Sequence, residues 1–276
     1  MMTLADASCY FDRTPILDAD TGLTLFYGQV DPYDDAKRDS ATAYRRVLSV
    51  KPGTVVPAGR AIKILGSVWV LGGSELDGQA EAHRQKYVLH PAPSKLSFSR
   101  MGVYVAGTTA SMVWGDMVWM KDGREIASSS KMVPTYTLYA PVGSDIREYD
   151  VIRIGTTGYL VEAPHNQASG ILSATCLKLE YAPEVASLET RTYDPAQGKY
   201  TFSAITSVRC LRLRWQSLYL YGSQYEARYQ EGDCTLVLPA GTVIATKDTL
   251  TLSSGAWNVV SVENLAGCVA VHGRPA

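Results

Sequence analysis

The chain repeats one pattern of strands and turns three times, and this repetition limits its possible folds more than any other feature. The first copy runs from Leu48 to Leu89 and contains Gly53, Ile64 and Trp69 at its turns and strands. Ninety positions later the same spacing returns as Leu138, Gly143, Ile154, Tyr159 and Leu179. A third copy, a further 98 positions on, has Leu236, Gly241, Leu252 and Trp257 at one constant offset, with Val271 aligned to Leu179 across a shorter loop. Repeated turn glycines, strand aliphatics and one aromatic indicate three copies of a small fold.

Short strands separated by glycine turns make up each copy. They recur at intervals of roughly 8–12 residues, which is typical of a β-sandwich or a small β-barrel. Prolines and small polar residues gather at 91–94 and at 182–187, where we place the boundaries. The sequence therefore predicts an all-β protein of three tandem small β-barrels or sandwiches: module 1 at 1–94, module 2 at 95–186 and module 3 at 187–276.

Two further local patterns give specific expectations. Asp122-Gly123 follows the apolar run 117–120, and an Asp-Gly pair beside such a run predicts a type I′ hairpin turn. Residues 31–46 and 75–85 each permit a short polar helix, but neither has a continuous apolar stripe, so loops are favoured there.

The segment 208–221 shows the clearest alternation in the chain. Leu211, Leu213 and Trp215 are expected on a buried face, with Arg212 and Arg214 on the exposed one. The whole chain has 26 Lys and Arg against 27 Asp and Glu, whereas a protein that coats nucleic acid normally needs a basic excess. We therefore expect at most a passing contact with DNA, for which the local patch Arg209, Arg212 and Arg214 is available.

Membrane insertion is not expected. No apolar run approaches the roughly 20 residues that span a bilayer, and the first residues lack the basic and apolar regions of a signal peptide. The protein is expected to act in a reducing cytoplasm or inside a particle that is assembled there.

The five cysteines are unclustered and lack Cys-x-x-Cys spacing, so we predict buried free thiols. Cys176 and Cys268 are assigned to equivalent positions at the start of the last strand, where the first module has Lys86.

No catalytic, cofactor-binding or metal-ligating residue is predicted. The four histidines, His83, His90, His165 and His272, lack ligand spacing, and His90 and His272 are expected to be solvated residues at strand ends. The carboxylate pairs Asp34-Asp35 and Glu231-x-Asp233 are interpreted as solvated loop charges. No nucleophile elbow, zinc-protease or phosphate-loop motif is present in the sequence.

A concentration of Met and Trp in the second module has two equally supported interpretations. Its residues are Met112, Trp114, Met117, Trp119 and Met120. They are either the core of that module or part of an interface, because Trp and Met are enriched at interface centres.

The stretch from Asp150 to Val161 resembles the closing hairpin of the small β-barrel neck proteins of tailed bacteriophages, the head-closure or head–tail connector type. In that family an acidic residue precedes an aliphatic strand, a glycine turn follows and an aromatic-led strand returns. This chain departs from the usual single barrel by its three tandem copies.

The resemblance implies a non-catalytic structural virion protein that forms a homo-oligomeric ring in the neck. Its partners would be other virion proteins, such as the portal, an adaptor or the tail. The alternative is a carbohydrate-binding or fibre-anchoring module of a tail or baseplate, for which Tyr219, Tyr221, Tyr225 and Tyr229 are candidate stacking residues.

The segment 72–85, which joins the last two strands of module 1, is longer than a hairpin needs. Its counterpart at 162–175 is expected to be a loop of similar length, and the third at 261–266 a shorter one. We expect the first of these loops to reach an adjacent subunit or ring, and shortening residues 74–83 to abolish assembly while leaving the monomer stable.

Overall fold

The computed structural model describes residues 14–32, 46–74, 85–108, 110–126, 129–166, 170–214, 232–265 and 267–276. The first six strands are β1 (Thr14–Asp18), β2 (Thr24–Pro32), β3 (Arg46–Val50), β4 (Ala61–Ile64), β5 (Ser67–Ser74) and β6 (Gln85–Pro91). The next are β7 (Ser94–Arg100), the helix α1 (Met101–Ala106), β8 (Ser111–Ile126), β9 (Ser129–Pro141), β10 (Asp150–Ile154), β11 (Thr157–Asn166) and β12 (Ile171–Lys178). The last are β13 (Glu184–Asp194), β14 (Lys199–Arg214), β15 (Cys234–Pro239), β16 (Thr249–Leu252), β17 (Gly255–Leu265) and β18 (Cys268–Pro275).

The strands form three closed six-stranded barrels with one topology, so the predicted all-β class and three tandem barrels are confirmed. The strand order is β1-β2-β3-β6-β5-β4 in the first barrel, β7-β8-β9-β12-β11-β10 in the second and β13-β14-β15-β18-β17-β16 in the third, each ring closing on itself. Closure leaves no free sheet edge along the barrel wall, and a free edge invites aggregation. The module boundaries at 94/95 and 186/187 fall in the first residues of β7 and β13.

The aromatic position of the repeat has the same surroundings in all three barrels. Trp69 pairs with Ile62, Tyr159 with Ile152 and Trp257 with Leu250, each across the hairpin of the fourth and fifth strands. Each aromatic also packs against the core of its own barrel. The repeat inferred from constant offsets is therefore a repeat of backbone and of core.

The last strand, however, has a different register from the predicted one. Leu48, Leu138 and Leu236 pair with Tyr87, Ala174 and Val271, so the offsets in the last strand are 87 and 97. The backbone N–H groups of Ala92, Leu179 and Ala276 donate equivalent bonds to the carbonyls of Val68, Gly158 and Ala256, which confirms this register.

The predicted equivalence of Leu89, Leu179 and Val271 is therefore wrong, as is that of Cys176 and Cys268. Cys176 lies opposite Val161 in mid-strand, whereas Cys268 opens β18 opposite Leu265. The hairpins before the last strand differ in length between barrels, and an alignment of aliphatic residues alone cannot register that difference.

One tight turn before the fourth strand is kept in every barrel despite its changing sequence. Gly59, Tyr149 and Lys247 all have positive φ (75°, 67° and 78°), which is costly for a residue other than glycine. Their N–H groups donate to the carbonyls of Leu71, Val161 and Val259.

In the second and third barrels a buried aspartate follows this residue and holds the turn. The Asp150 carboxylate accepts from the Arg147 N–H at 2.9 Å, and the Asp248 carboxylate accepts from the Ala245 N–H at 2.8 Å. These bonds offset the backbone strain that glycine avoids in the first barrel. Burial raises the pKa of Asp150, while its ion pair with Arg100 acts in the opposite direction.

Several segments differ from their predicted form. Residues 111–126 form one strand, β8, and the register shift between Met120 and Arg124 shows that Asp122-Gly123 lies in a strand irregularity instead of a hairpin turn. The predicted loop at 162–175 is largely strand, since β11 and β12 pair out to Asn166 and Leu172. The predicted loop at 261–266 is strand up to Leu265.

The helix α1 follows β7 directly and ends at Gly107, which has a left-handed conformation. The sequence patterns did not predict this helix. It has six residues, too few to show an apolar period. The segments 33–45 and 75–84, which include most of both proposed polar helices, lie outside the described residues.

Candidate functional site

The three barrels contact one another in a repeated head-to-tail manner. Between the first and second barrels, Val70 and Ala92 pack against Ile171 in a small apolar cluster, with Trp114 and Tyr139 at its edge. The Lys95 ammonium donates to the Asp20 carboxylate at 2.7 Å, and the Trp114 indole N–H donates to the same oxygen at 3.1 Å.

The contact between the second and third barrels uses the equivalent positions. Leu160 and Leu179 correspond to Val70 and Ala92, and they share a cluster with Val237 and Cys268, which correspond to Tyr139 and Ile171. Because the same two faces meet twice in the same order, the chain is a directional stack of barrels.

The outward face of the third barrel differs at these positions. Asn258 stands where the first two barrels have Val70 and Leu160, and it is exposed, whereas those two side chains are buried. Ala276 stands where they have Ala92 and Leu179. The third barrel therefore lacks the apolar face that each earlier barrel presents to its successor.

The helix α1 fills the second of these contacts. Met101, Tyr104 and Val105 join the cluster there, and Gly102 lies so close to the third barrel that a Cβ would be 1.7 Å from the Gly267 carbonyl oxygen. The Arg209 guanidinium donates to the carbonyls of Val105 (2.9 Å) and Pro183 (3.3 Å). Arg209 thus holds α1 to the third barrel.

The alternation predicted in β14 is confirmed for Leu211 and Leu213, which are buried, but their face is the outside of the barrel, and Arg212 is partly buried instead of exposed. Leu211 and Leu213 point out of the barrel into the contact with α1, whereas Cys210 is in the barrel core. Arg212 lies on the Cys210 face and stacks on Trp257 and Tyr181, at 5.0 and 4.9 Å from the ring centroids. Of the proposed basic patch, Arg209 and Arg212 are thus both engaged within the chain.

A cleft of about 630 Å³ lies at the contact of the first two barrels. Charge at its walls comes from Arg60, Lys95, Asp20 and Asp145, and apolar surface comes from Met112 and Trp114. Arg60 forms no direct ion pair with any residue that the structure describes, whereas Lys95 is paired with Asp20 and Asp145 with Arg100 and Arg147.

The third barrel carries a two-stranded ribbon that extends past its wall. β13 pairs with β16 only at Ser187–Glu189, and β14 pairs with β15 only at Leu211–Arg214, so among the described residues 190–194 and 199–204 pair only with each other. One face of this ribbon has four exposed large side chains: Tyr193 (52%), Tyr200 (45%), Phe202 (61%) and Ile205 (62%). We call this surface the outer face of the ribbon.

A buried charge cluster lies in the wall of the third barrel. The side chain of Asp233 is fully buried, and its Oδ2 is 2.7 Å from His272 Nε2 and 3.2 Å from Arg274 Nη2. Asp233 and His272 were expected to be solvated, and both expectations are wrong. Asp233 lies directly before β15, whereas His272 and Arg274 lie in β18. These residues are far apart in the sequence, so the sequence alone does not indicate that they are partners.

His90 was also expected to be solvated, but it is buried, and its ring stacks on Tyr139 of the second barrel at 4.0 Å between centroids. It belongs to the contact between the first two barrels. The side chain of His165 and the residues His83, Asp34, Asp35 and Glu231 lie outside the described part of the structure.

The residues of the Met and Trp concentration do not all fit one interpretation: some lie in the core of the module and some at a contact. Trp114 packs at the contact between barrels, Met117 packs against the core of the second barrel and Met112 is exposed. The side chains of Trp119 and Met120 are not described. The four candidate stacking tyrosines at 219–229 and the loop 75–84 also lie outside the described residues, so the expectations for them stay predictions.

The four described cysteines, Cys176, Cys210, Cys234 and Cys268, are buried free thiols. Burial raises the pKa of Cys176 and of Cys234 to about 12, so both stay protonated at neutral pH. Within the described residues, no three His, Cys, Asp or Glu side chains come together as metal ligands. None of the helices in the same residues is long and apolar enough to cross a membrane.

Comparison of the chain with protein-family models, with curated proteins and with solved structures gave no match.

Proposed function

We propose that this chain is a non-catalytic structural protein of a tailed-bacteriophage virion, which forms a homo-oligomeric ring in the neck by subunit contacts. The observation that carries the proposal is the outer face of the ribbon, an exposed apolar surface on a stack of closed barrels. Two-stranded ribbons are marginally stable in water, and exposed apolar patches commonly mark sites of protein–protein contact.

The internal use of polar groups supports the same proposal. The buried charged residues Asp150, Asp233 and Asp248 bind neighbouring backbone or side-chain groups in turns and barrel walls. Each of these contacts has an evident structural role. A protein whose buried polar groups serve its own rigidity is suited to work by shape and contact.

Imaging of the purified full chain by negative stain, together with its mass by light scattering, tests the proposal. Rings of uniform diameter are expected, and they should bind a purified portal or tail-adaptor ring. A protein that remains monomeric at all concentrations and binds no virion component would contradict the proposed neck function.

The cleft favours carbohydrate binding as a second candidate function. An indole, charged hydrogen-bonding groups and a junction between two domains are common in sites for small polar ligands. Trp114, Arg60 and Asp20 provide these groups there.

Titration with a panel of hexose oligosaccharides, followed by the fluorescence of the five Trp residues, tests this second function. Saturable quenching that Arg60→Ala weakens at least tenfold is expected if the cleft binds sugar. Ser94→Ala, outside the set of residues that line the cleft, is the matched control.

A further inference from the structure

We infer that the outer face of the ribbon is the docking surface for the same face of a second copy of this chain, related by a two-fold axis. This contact is separate from the subunit contact that closes a ring, because a two-fold interface joins identical patches and a ring needs two different ones. The inference shares its starting observation, the exposed outer face, with the proposed neck function, but it commits to a two-fold contact at that face and leaves ring closure to other surfaces of the chain.

The two faces of the ribbon differ in polarity, as they do in a sheet that is covered on one side only. Tyr193 pairs with Tyr200 and Arg191 with Phe202, and Glu189 pairs with Ile205, so these side chains share the outer face. The opposite face has Thr190, Thr192 and Thr201, with the hydroxyls of Thr190 and Thr201 bonded to cross-strand carbonyls. Aromatic side chains are enriched in the centres of protein interfaces, and here they are on one side alone.

None of the residues that the structure describes covers this face of the ribbon. The Tyr193 and Tyr200 rings contact each other at 5.3 Å between centroids, but all four large side chains remain about half exposed or more. The base of the ribbon is fixed, since the Arg191 N–H donates to the buried Asp248 carboxylate at 2.8 Å. The outer face is therefore presented by a backbone that the barrel holds in place.

Charge complementarity identifies a second copy as the occupant. Glu189 and Arg191 are two residues apart on the outer face and form an ion pair within one strand, with Arg191 Nη2 2.8 Å from Glu189 Oε1. A two-fold axis that passes near Thr190 places Glu189 of each copy opposite Arg191 of the other. The same operation places Phe202, which pairs with Arg191, opposite Ile205 of the other copy, which pairs with Glu189, and sheets that pack face to face interdigitate such side chains.

The two-fold arrangement can be tested by charge reversal in the full chain. Glu189→Arg and Arg191→Glu each place like charges across the axis, and each is expected to weaken self-association at least tenfold in sedimentation equilibrium. The double variant Glu189→Arg with Arg191→Glu restores opposite charges across the axis and should recover dimerisation. Single variants that weaken the dimer without recovery in the double variant would overturn the two-fold arrangement.

The apolar part of the contact is tested by placing an aspartate on each face of the ribbon in turn. Phe202→Asp, on the outer face, should convert the dimer to monomer, while Thr192→Asp, on the opposite face, should leave the dimer intact. Far-ultraviolet circular dichroism checks that both variants are folded. Wild-type protein that is monomeric up to high micromolar concentration, or oligomers that Phe202→Asp leaves unchanged, would overturn the proposal. Rings that persist in Phe202→Asp while the two-fold contact is lost agree with both proposals, whereas a wild-type protein that forms only a dimer, which Phe202→Asp dissociates, would contradict the neck function alone.

Discussion

Asp20 of the first barrel accepts two hydrogen bonds at one carboxylate oxygen, and the indole N–H of Trp114 in the second barrel is one of the donors, at 3.1 Å. The other donor is the ammonium group of Lys95, at 2.7 Å. A single ionised carboxylate thus ties two barrels together at the rim of the cleft.

This bond makes the contact between the first two barrels sensitive to acid. The hydrogen bonds from Lys95 and then Trp114 lower the pKa of Asp20 below its ordinary value of 3.8. Because the folded pKa is the lower one, the stabilisation is present above pH 3.8 and is lost as the pH falls through the folded pKa. Asp20→Asn should cost less than about 1 kcal/mol at neutral pH, since the pair is exposed. The difference in the free energy of unfolding between the wild type and Asp20→Asn, measured with urea, should disappear in acid. A difference that does not change with pH would contradict this expectation.

Gly102 is predicted to tolerate no side chain. The methyl group of Gly102→Ala meets the Gly267 carbonyl, so α1 must move away from the third barrel. We expect a loss of about 1–3 kcal/mol or more in the free energy of unfolding. Gly143→Ala is the matched control, because its Cβ would be 3.8 Å from the nearest atom. Equal melting temperatures for the two variants would show that α1 is not packed as described.

Exchange of residues between equivalent positions tests the direction of the stack. Leu160→Asn places a polar group in the apolar contact between the second and third barrels and should cost about 2–5 kcal/mol. Asn258→Leu makes the converse change on the exposed end face and should alter stability by less than about 0.5 kcal/mol. Limited proteolysis between the barrels should accelerate only in Leu160→Asn. If Asn258→Leu proves the more damaging change, the assignment of equivalent faces is wrong.

The repeated aromatics should differ in the cost of their removal according to burial. Trp257 is 4% exposed and also stacks on Arg212, so Trp257→Ala should cost about 3–5 kcal/mol. Trp69 and Tyr159 are partly buried at the edges of their cores, and their alanine variants should cost less. Chemical unfolding of the three variants gives the order directly, and Trp257→Ala as the mildest change would refute it.

The buried thiols should be inert in the folded protein. Their reactive form is the thiolate, and burial raises the pKa of Cys176, Cys210 and Cys234 far above neutral pH. In a Cys9→Ser variant, an Ellman-type reagent should therefore label almost no cysteine at pH 8 and four after unfolding. Fewer than four thiols in the unfolded, unreduced protein would reveal a disulfide.

Much of the fold was predictable because its repeated elements are local. The hairpin that pairs Ile152 with Tyr159 spans eight residues, so its aliphatic, glycine and aromatic positions recur at fixed offsets. The register of the last strand was not predictable, since hairpin length varies between barrels and shifts every later position.

The environment of single side chains was harder to predict. Asp233 and His272 are 39 residues apart and become partners only because β15 pairs with β18. Leu211 and Leu213 follow the expected alternation, but a barrel in a stack has apolar contacts on its outside as well as its inside. Alternation identifies two faces without saying which one faces the core.

The small and polar end face of the third barrel also limits how copies of the chain can combine. Ala256, Asn258 and Ala276 offer little apolar area for another first barrel, so elongation of the stack from one molecule into the next gains little free energy. End-to-end stacking of two molecules through this face is therefore disfavoured. Contact between copies is left to the sides of the barrels, where the outer face of the ribbon lies.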